Sequence, residues 1–220
     1  AGGSAKDAPA EGTPAQRTIW ETVKHHFAVS ACILQKDAKI GKIIGFYSVV
    51  FAAHTLLFFY SQQYFADFGY NKVQISVIML LVGGASCLGA LASEKMYRRF
   101  GKRCLIPETV IIAAAILCYG SGKAGVAAAA LMCAGFANAA LYPIQSDSLN
   151  ALIPSEQRAT LISVDSMCFS IAMIVLFPLA GALADRWGLK TVLLLLGAIL
   201  LLFLLTVFCI EKESFSSDHS

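Results

Sequence analysis

Charge is what this 220-residue chain has least of. Only 14% of its residues are Asp, Glu, Lys or Arg, against about a quarter in a soluble domain. That deficit excludes an ordinary water-facing fold, because too few charged side chains remain to cover one. Thiol and metal signatures are missing as well. The seven cysteines form no Cys-x-x-Cys pair: Cys87, Cys118, Cys133, Cys168 and Cys209 lie within apolar runs, and Cys32 and Cys104 lie beside them. An odd number of scattered thiols suits packing as small hydrophobes better than a disulfide framework. There is no His-Glu-x-x-His and no Gly-x-Ser-x-Gly, which removes the usual routes to a metalloprotease or a serine hydrolase. No phosphate-cradling loop is present, so ATP hydrolysis has no site, and no cofactor is expected. The N-terminus has no apolar-cored signal peptide. It lacks an initiating Met and begins AGGSAKDAPAEGTPAQRT, a linker composition that reads as the middle of a longer chain.

Apolar residues are abundant, 57% of the chain, and they gather in long blocks instead of alternating. Six blocks, at about 43–65, 75–93, 104–121, 124–146, 161–184 and 189–210, approach or exceed the roughly 20 residues that cross a bilayer. The last contains TVLLLLGAILLLFLLTVF, whose nine leucines each favour insertion by about 0.3–0.6 kcal/mol near the bilayer centre. The chain therefore reads as an all-α membrane protein with six transmembrane helices. A flexible linker at 1–18, an amphipathic juxtamembrane helix at 19–40, a six-helix bundle at 41–211 and a tail at 212–220 make up its organisation. In the juxtamembrane segment Ile19, Trp20, Val23, Phe27, Ala31 and Leu34 recur at helical spacing, which suits a membrane surface. Its adjacent His25 and His26 point apart on a helix and make no metal pair.

The basic residues orient the spans. Lys36, Lys39, Lys42, Lys95, Arg98, Arg99, Lys102, Arg103, Arg158 and Lys212 fall on one side, ten in all, and Lys72, Lys123, Arg186 and Lys190 on the other. By the positive-inside rule the ten are cytoplasmic, and with six spans so are both termini. The expected location is the plasma (cytoplasmic) membrane. The net charge of +3 is then a matter of topology, and no nucleic-acid partner is expected.

One phrase occurs twice. GALA closes the second block at 89–92 and the fifth at 181–184. Three helices separate the copies, an odd number, so the second copy is turned over in the membrane. Inverted triplets of this kind build many transporters. The residues after each copy sharpen the pattern. Gly181-Ala-Leu-Ala-Asp185-Arg186-Trp-Gly188-Leu-Lys190 resembles the loop signature of the major facilitator superfamily. Glu94-Lys95-x-x-Arg98-Arg99-x-Gly101-Lys102-Arg103 resembles the cytoplasmic version in that family's second half, with extra residues after Gly89. PIQSDSLNALIPSEQRATLIS (143–163) resembles its fourth-to-fifth span connection. The resemblance covers about residues 19–211. It implies the C-terminal six-helix half of a twelve-helix fold, two inverted three-helix repeats, and a missing N-terminal half as partner. It also implies secondary active, proton-coupled transport of a small solute by alternating access. The departure is length, six spans where the family has twelve, which leaves open a self-contained half acting as a homodimer. A membrane-embedded enzyme is the remaining alternative, with no motif behind it.

Candidate site residues follow from polarity. Spans three and six are almost bare of polar side chains and are expected to face lipid all round. Spans one, two, four and five are expected to line the path, as in the family. In span one Tyr47, Phe51, His54, Phe58 and Gln62 recur at steps of three or four, with His54 near mid-membrane. An ionisable residue there is a functional hypothesis by default. Asn138, Tyr142 and Gln145 form the matching stripe of span four. The gating set is Glu94, Arg98, Arg99, Gly101, Arg158, Asp165, Gly181, Asp185, Arg186 and Gly188. Glycines there permit tight reversals, acid–base pairs lock helix ends, and Arg158 is expected to pair with Asp147 or Asp165.

Overall fold

The computed structural model describes residues 38–101, 105–151 and 158–217, with side chains described for 40–206 within them. The expected linker at 1–18 and nearly all of the juxtamembrane segment lie outside the described residues. So do Lys102, Arg103 and part of the fourth-to-fifth connection. Among the described residues every regular element is helical: α1 Ala38–Asp67, α2 Lys72–Phe100, α3 Leu105–Cys118, α4 Ala124–Asn150, α5 Arg158–Trp187 and α6 Leu189–Ser217. A 3₁₀ turn, Tyr119–Ser121, extends α3. Five of the six helices are long and apolar enough to cross a membrane. The segment Leu105–Ser121 is shorter, roughly 27 Å at helical rise, near the lower limit for a bilayer core of about 30 Å. α4 and α5 run through Pro143 and Pro178.

Local chemistry sets the reversals. After α1, Gly69 takes a left-handed φ of 83°, which lets the chain turn back within the four residues before Lys72. Asn71 then caps α2: its side chain accepts from the Gln74 N–H at 2.9 Å while the Gln74 side chain accepts from the Asn71 N–H at 2.9 Å. Between α5 and α6 a single residue suffices, Gly188 at φ 80°.

Packing relates the two triplets. α2 packs on α4, and α5 packs on α1; α3 packs on α4 and α6, and α6 also touches α1 and α5. Exchanging α1–α3 with α4–α6 maps α2-on-α4 onto α5-on-α1, and α3-on-α4 onto α6-on-α1. The second helix of each triplet is thus seated on the first helix of the other, with α1 and α4 adjacent at the centre. Both GALA glycines sit at these exchanged contacts. A Cβ on Gly89 would stand 2.2 Å from the Phe136 carbonyl oxygen on α4, and one on Gly181 would stand 3.0 Å from the Tyr60 hydroxyl on α1. The α5–α6 contact has little counterpart between α2 and α3.

Two expectations are corrected here. α3 does not face lipid all round: Ile112, Ala113, Ala115 and Ile116 are buried, together with Glu108 and Thr109. α6 likewise buries Leu193, Leu200 and Leu204 along one stripe. The physical reason is that an Ala- or Leu-covered surface packs against protein as readily as against lipid tails, so an apolar face does not say which it meets.

Candidate functional site

The central pair α1 and α4 carries the expected path residues, but not on one open face. Tyr47 and Phe51 are buried, 7% and 9% exposed, while His54 and Phe58 are half-buried and Gln62 is exposed. α1 leans its N-terminal half on α6, where Phe46 stacks on Phe203 at 5.5 Å between ring centroids, and its C-terminal half on α5, where Tyr60 stacks on Phe177 at 5.2 Å. Phe51 meets Tyr142 across α1 and α4 at 5.6 Å. Tyr142 is 58% exposed, so this contact is the edge at which the buried aromatic column reaches the bundle surface.

Between these rings lie polar atoms with nothing to bond. Ser48 Oγ and His54 Nε2 on α1, and Asn138 Oδ1, Ser148 Oγ and both amide atoms of Gln145 on α4, are shut off from solvent without a hydrogen-bond partner among the described residues. Each such group costs about 1–3 kcal/mol. Natural interiors satisfy nearly all their polar atoms, so a concentration of unsatisfied ones on two touching helices sets this pair apart from the rest of the bundle. The serines and threonines outside this pair behave differently. Ser163 and Ser170 of α5 donate to the Ala159 and Ser166 carbonyls one turn back, at 3.1 and 2.8 Å.

The gating set divides by helix. At the C-terminal end of α2, Arg98 pairs with Glu94 at 2.5 Å, with both side chains about three-quarters exposed, and the Arg99 guanidinium lies 5.7 Å over the Phe100 ring. Gly101 ends the helix at φ 59°. An ion pair this exposed contributes little: Glu94→Gln is expected to change thermal stability by less than about 0.5 kcal/mol, measured by unfolding in detergent. On α5 the expected pairing of Arg158 with Asp147 or Asp165 is not formed among the described residues. Arg158 is exposed at the first position of the helix, and Asp165 lies roughly 10 Å further along the axis, half-buried beside the Gln145 side chain without a well-formed hydrogen bond. At the other end of α5, Asp185 and Arg186 are exposed. Asp185 is close enough to act electrostatically on the Tyr60 hydroxyl, which itself donates to the Phe177 carbonyl at 3.0 Å. Gly181, Asp185 and Tyr60 thus join the C-terminal end of α5 to α1.

Sequence reasoning missed two features. Glu108, in the first turn of α3, is buried, and neither carboxylate oxygen has a partner among the described residues. The signal was available: an acid inside the 104–121 block, in the stretch LIPET. The other is a buried clamp at the opposite end of α3. The Tyr119 and Ser61 hydroxyls are 2.6 Å apart, Tyr64 donates to the Tyr119 carbonyl at 2.9 Å, and Ser61 bonds the Leu57 carbonyl. Only distance in space joins these residues, so no local pattern announces them.

An all-α bundle with five membrane-length helices and exchanged triplets is the architecture of a polytopic membrane protein. Comparison makes the class specific: the family model described as Major Facilitator Superfamily matches residues 43–218. The chain belongs to that superfamily. No curated protein and no solved structure matches it significantly.

Proposed function

We propose that this chain is the C-terminal six-helix half of a secondary transporter that moves a small solute by alternating access, driven by a proton gradient. The observation that carries this reading is the bareness of α2 and α5. Leu80 and Leu91 on α2 are each 75% exposed and Ile174 on α5 is 72% exposed, although these helices hold their places through GALA contacts with α4 and α1. A second six-helix bundle laid against them would close a path along α1 and α4. In this reading the chain lies in the cytoplasmic membrane with both termini inside, which the ten-to-four distribution of basic residues supports.

In this reading Tyr47, Phe51, His54, Phe58, Gln62, Asn138, Tyr142 and Gln145 contact solute or the water that replaces it. The unsatisfied atoms of His54, Asn138 and Gln145 supply direction, and the aromatic rings supply apolar surface. Glu94, Arg98, Arg99 and Gly101 latch the inner face. Gly181, Asp185, Arg186 and Gly188 latch the outer face through Tyr60, and Arg158 and Asp165, which are not paired with each other in this packing, complete the gating set at the start of α5.

The test is solute uptake into proteoliposomes of the full-length protein under an imposed pH gradient. His54→Ala is expected to lower uptake and flatten its pH profile with no loss of helix content. Unchanged rate and profile would remove His54 from the path. Pairs of cysteines on the bare faces of α2 and α5 should cross-link to a second bundle of the same polypeptide. Cross-links between two copies of this chain would favour a homodimer of halves instead.

A further inference from the structure

Glu108 is a buried carboxyl that the proposed path does not use, and its surroundings are unusual for an acid. The residue is 2% exposed, and neither carboxylate oxygen has a hydrogen-bond partner among the described residues. This burial belongs to the six-helix bundle itself, so it does not depend on a second half. The hydroxyl of Thr109 is turned away, donating to the Leu105 carbonyl at 2.8 Å. α3 packs on α4, α6 and α1. Those helices bring Lys42, His54 and the tyrosines of α1, Asp147 of α4 and Lys190 at the outer end of α6, and none of these groups bonds Glu108. Lys42, Asp147 and Lys190 are exposed. Glu211, Lys212 and Glu213 continue α6 with side chains outside the described residues.

An ionised carboxylate buried without a hydrogen-bond donor costs far more than the neutral acid does. Glu108 therefore holds a proton while the bundle is packed this way. A divalent cation is a poor alternative occupant. Among the described residues no three His, Cys, Asp or Glu side chains gather closely enough to hold a metal. Position adds a route. Glu108 sits one turn inside α3, next to the basic α2–α3 connection assigned to the cytoplasmic face, so a small movement of this helix end admits water from one side only.

We infer that Glu108 is a proton-binding site of the transport cycle, loaded in the packed bundle and emptied to the cytoplasm when the inner end of α3 separates from its neighbours. In the emptying step the carboxyl O–H bond breaks, the proton passes to entering water, and the carboxylate is solvated. Repacking requires the reverse transfer first. Raising the pH on the inner side thus favours the separated form, and lowering it favours the packed one. The inference rests on the transporter reading for its role in a cycle, and on geometry alone for the proton.

Difference infrared spectroscopy of the full-length protein in bilayers, stepped through pH, tests the site without a known solute. A carboxyl C=O band at the high-frequency edge, as expected for an acid lacking hydrogen bonds, should fade as pH rises. It should be absent in Glu108→Gln and unchanged in Asp165→Asn. Glu108→Asp should move the band and keep it, which guards against loss through misfolding. A titrating band that survives Glu108→Gln, or no titrating carboxyl band at all, overturns the proposal. Uptake assays separate the two ideas. Proton-driven accumulation should be lost in Glu108→Gln while solute exchange persists. A titrating Glu108 band in a protein that moves no solute would sink the transporter reading and leave the proton site. Normal gradient-driven uptake by Glu108→Gln would do the reverse.

Discussion

Tyr119→Ala is expected to destabilise the bundle by about 3–5 kcal/mol, the range for removing a fully buried ring. The ring is 0% exposed and lies edge-on to Tyr64 at 4.7 Å, and its backbone carbonyl holds the Tyr64 hydroxyl. Finer substitutions should rank in an order that only this geometry predicts. Tyr119→Phe removes one hydroxyl, but Ser61 keeps its bond to the Leu57 carbonyl, so the cost is about 1 kcal/mol. Ser61→Ala leaves the buried Tyr119 hydroxyl with no described partner and should cost more, up to about 3 kcal/mol. Thermal unfolding of each variant in the same detergent provides the comparison. If Ser61→Ala proves milder than Tyr119→Phe, the clamp is not assembled as described.

Gly89→Ala should be the most damaging single methyl in the chain. The added carbon would lie 2.2 Å from the Phe136 carbonyl oxygen and 2.9 Å from the Phe136 carbonyl carbon, both backbone atoms of α4 that cannot rotate away. The two helices must separate, at a cost of about 3 kcal/mol, the upper end for overpacking. Gly135→Ala meets Ser86 Oγ at 2.8 Å and Val82 Cγ1 at 3.1 Å, side-chain atoms able to shift, so about 1 kcal/mol is expected. Gly83 and Gly84, on the same helix as Gly89, have nothing within 4 Å. Alanine there should stabilise by about 0.5–1 kcal/mol through helix propensity. Unfolding midpoints of the four variants settle the order. Equal effects at Gly89 and Gly83 would contradict the α2–α4 contact.

The six helices were legible because their signal is local. Runs such as LLLLGAILLLFLL need no distant partner to be read as helix in lipid. Which face of a helix turns inward was not legible, and Val164 and Ile174 show why. Both are β-branched residues of α5, yet one is fully buried and the other 72% exposed. In water, polarity would distinguish the two faces; in a bilayer both surroundings are apolar and the periodicity carries no direction. The same loss of contrast made α3 look lipid-facing when its alanines in fact admit close neighbours. The first-span stripe was readable as a stripe, but how it passes from interior at Tyr47 to surface at Gln62 depends on which helices lean on α1. Gly89 was readable as a packing glycine, but its partner Phe136 was not, since close approach between helices leaves no trace in either one alone.

The exchange of second helices also has a consequence in time. α2 cannot reach its seat until α4 exists, and α1 waits still longer for α5. At about 5–20 residues per second, a ribosome that has finished Phe100 needs roughly 3–10 s more to finish Asn150. During those seconds the nascent α2 stands in the translocon's vicinity with its glycine groove empty, so insertion must be followed by a holding step. Slow or faulty synthesis of α4 would therefore be felt first as degradation of a helix made before it.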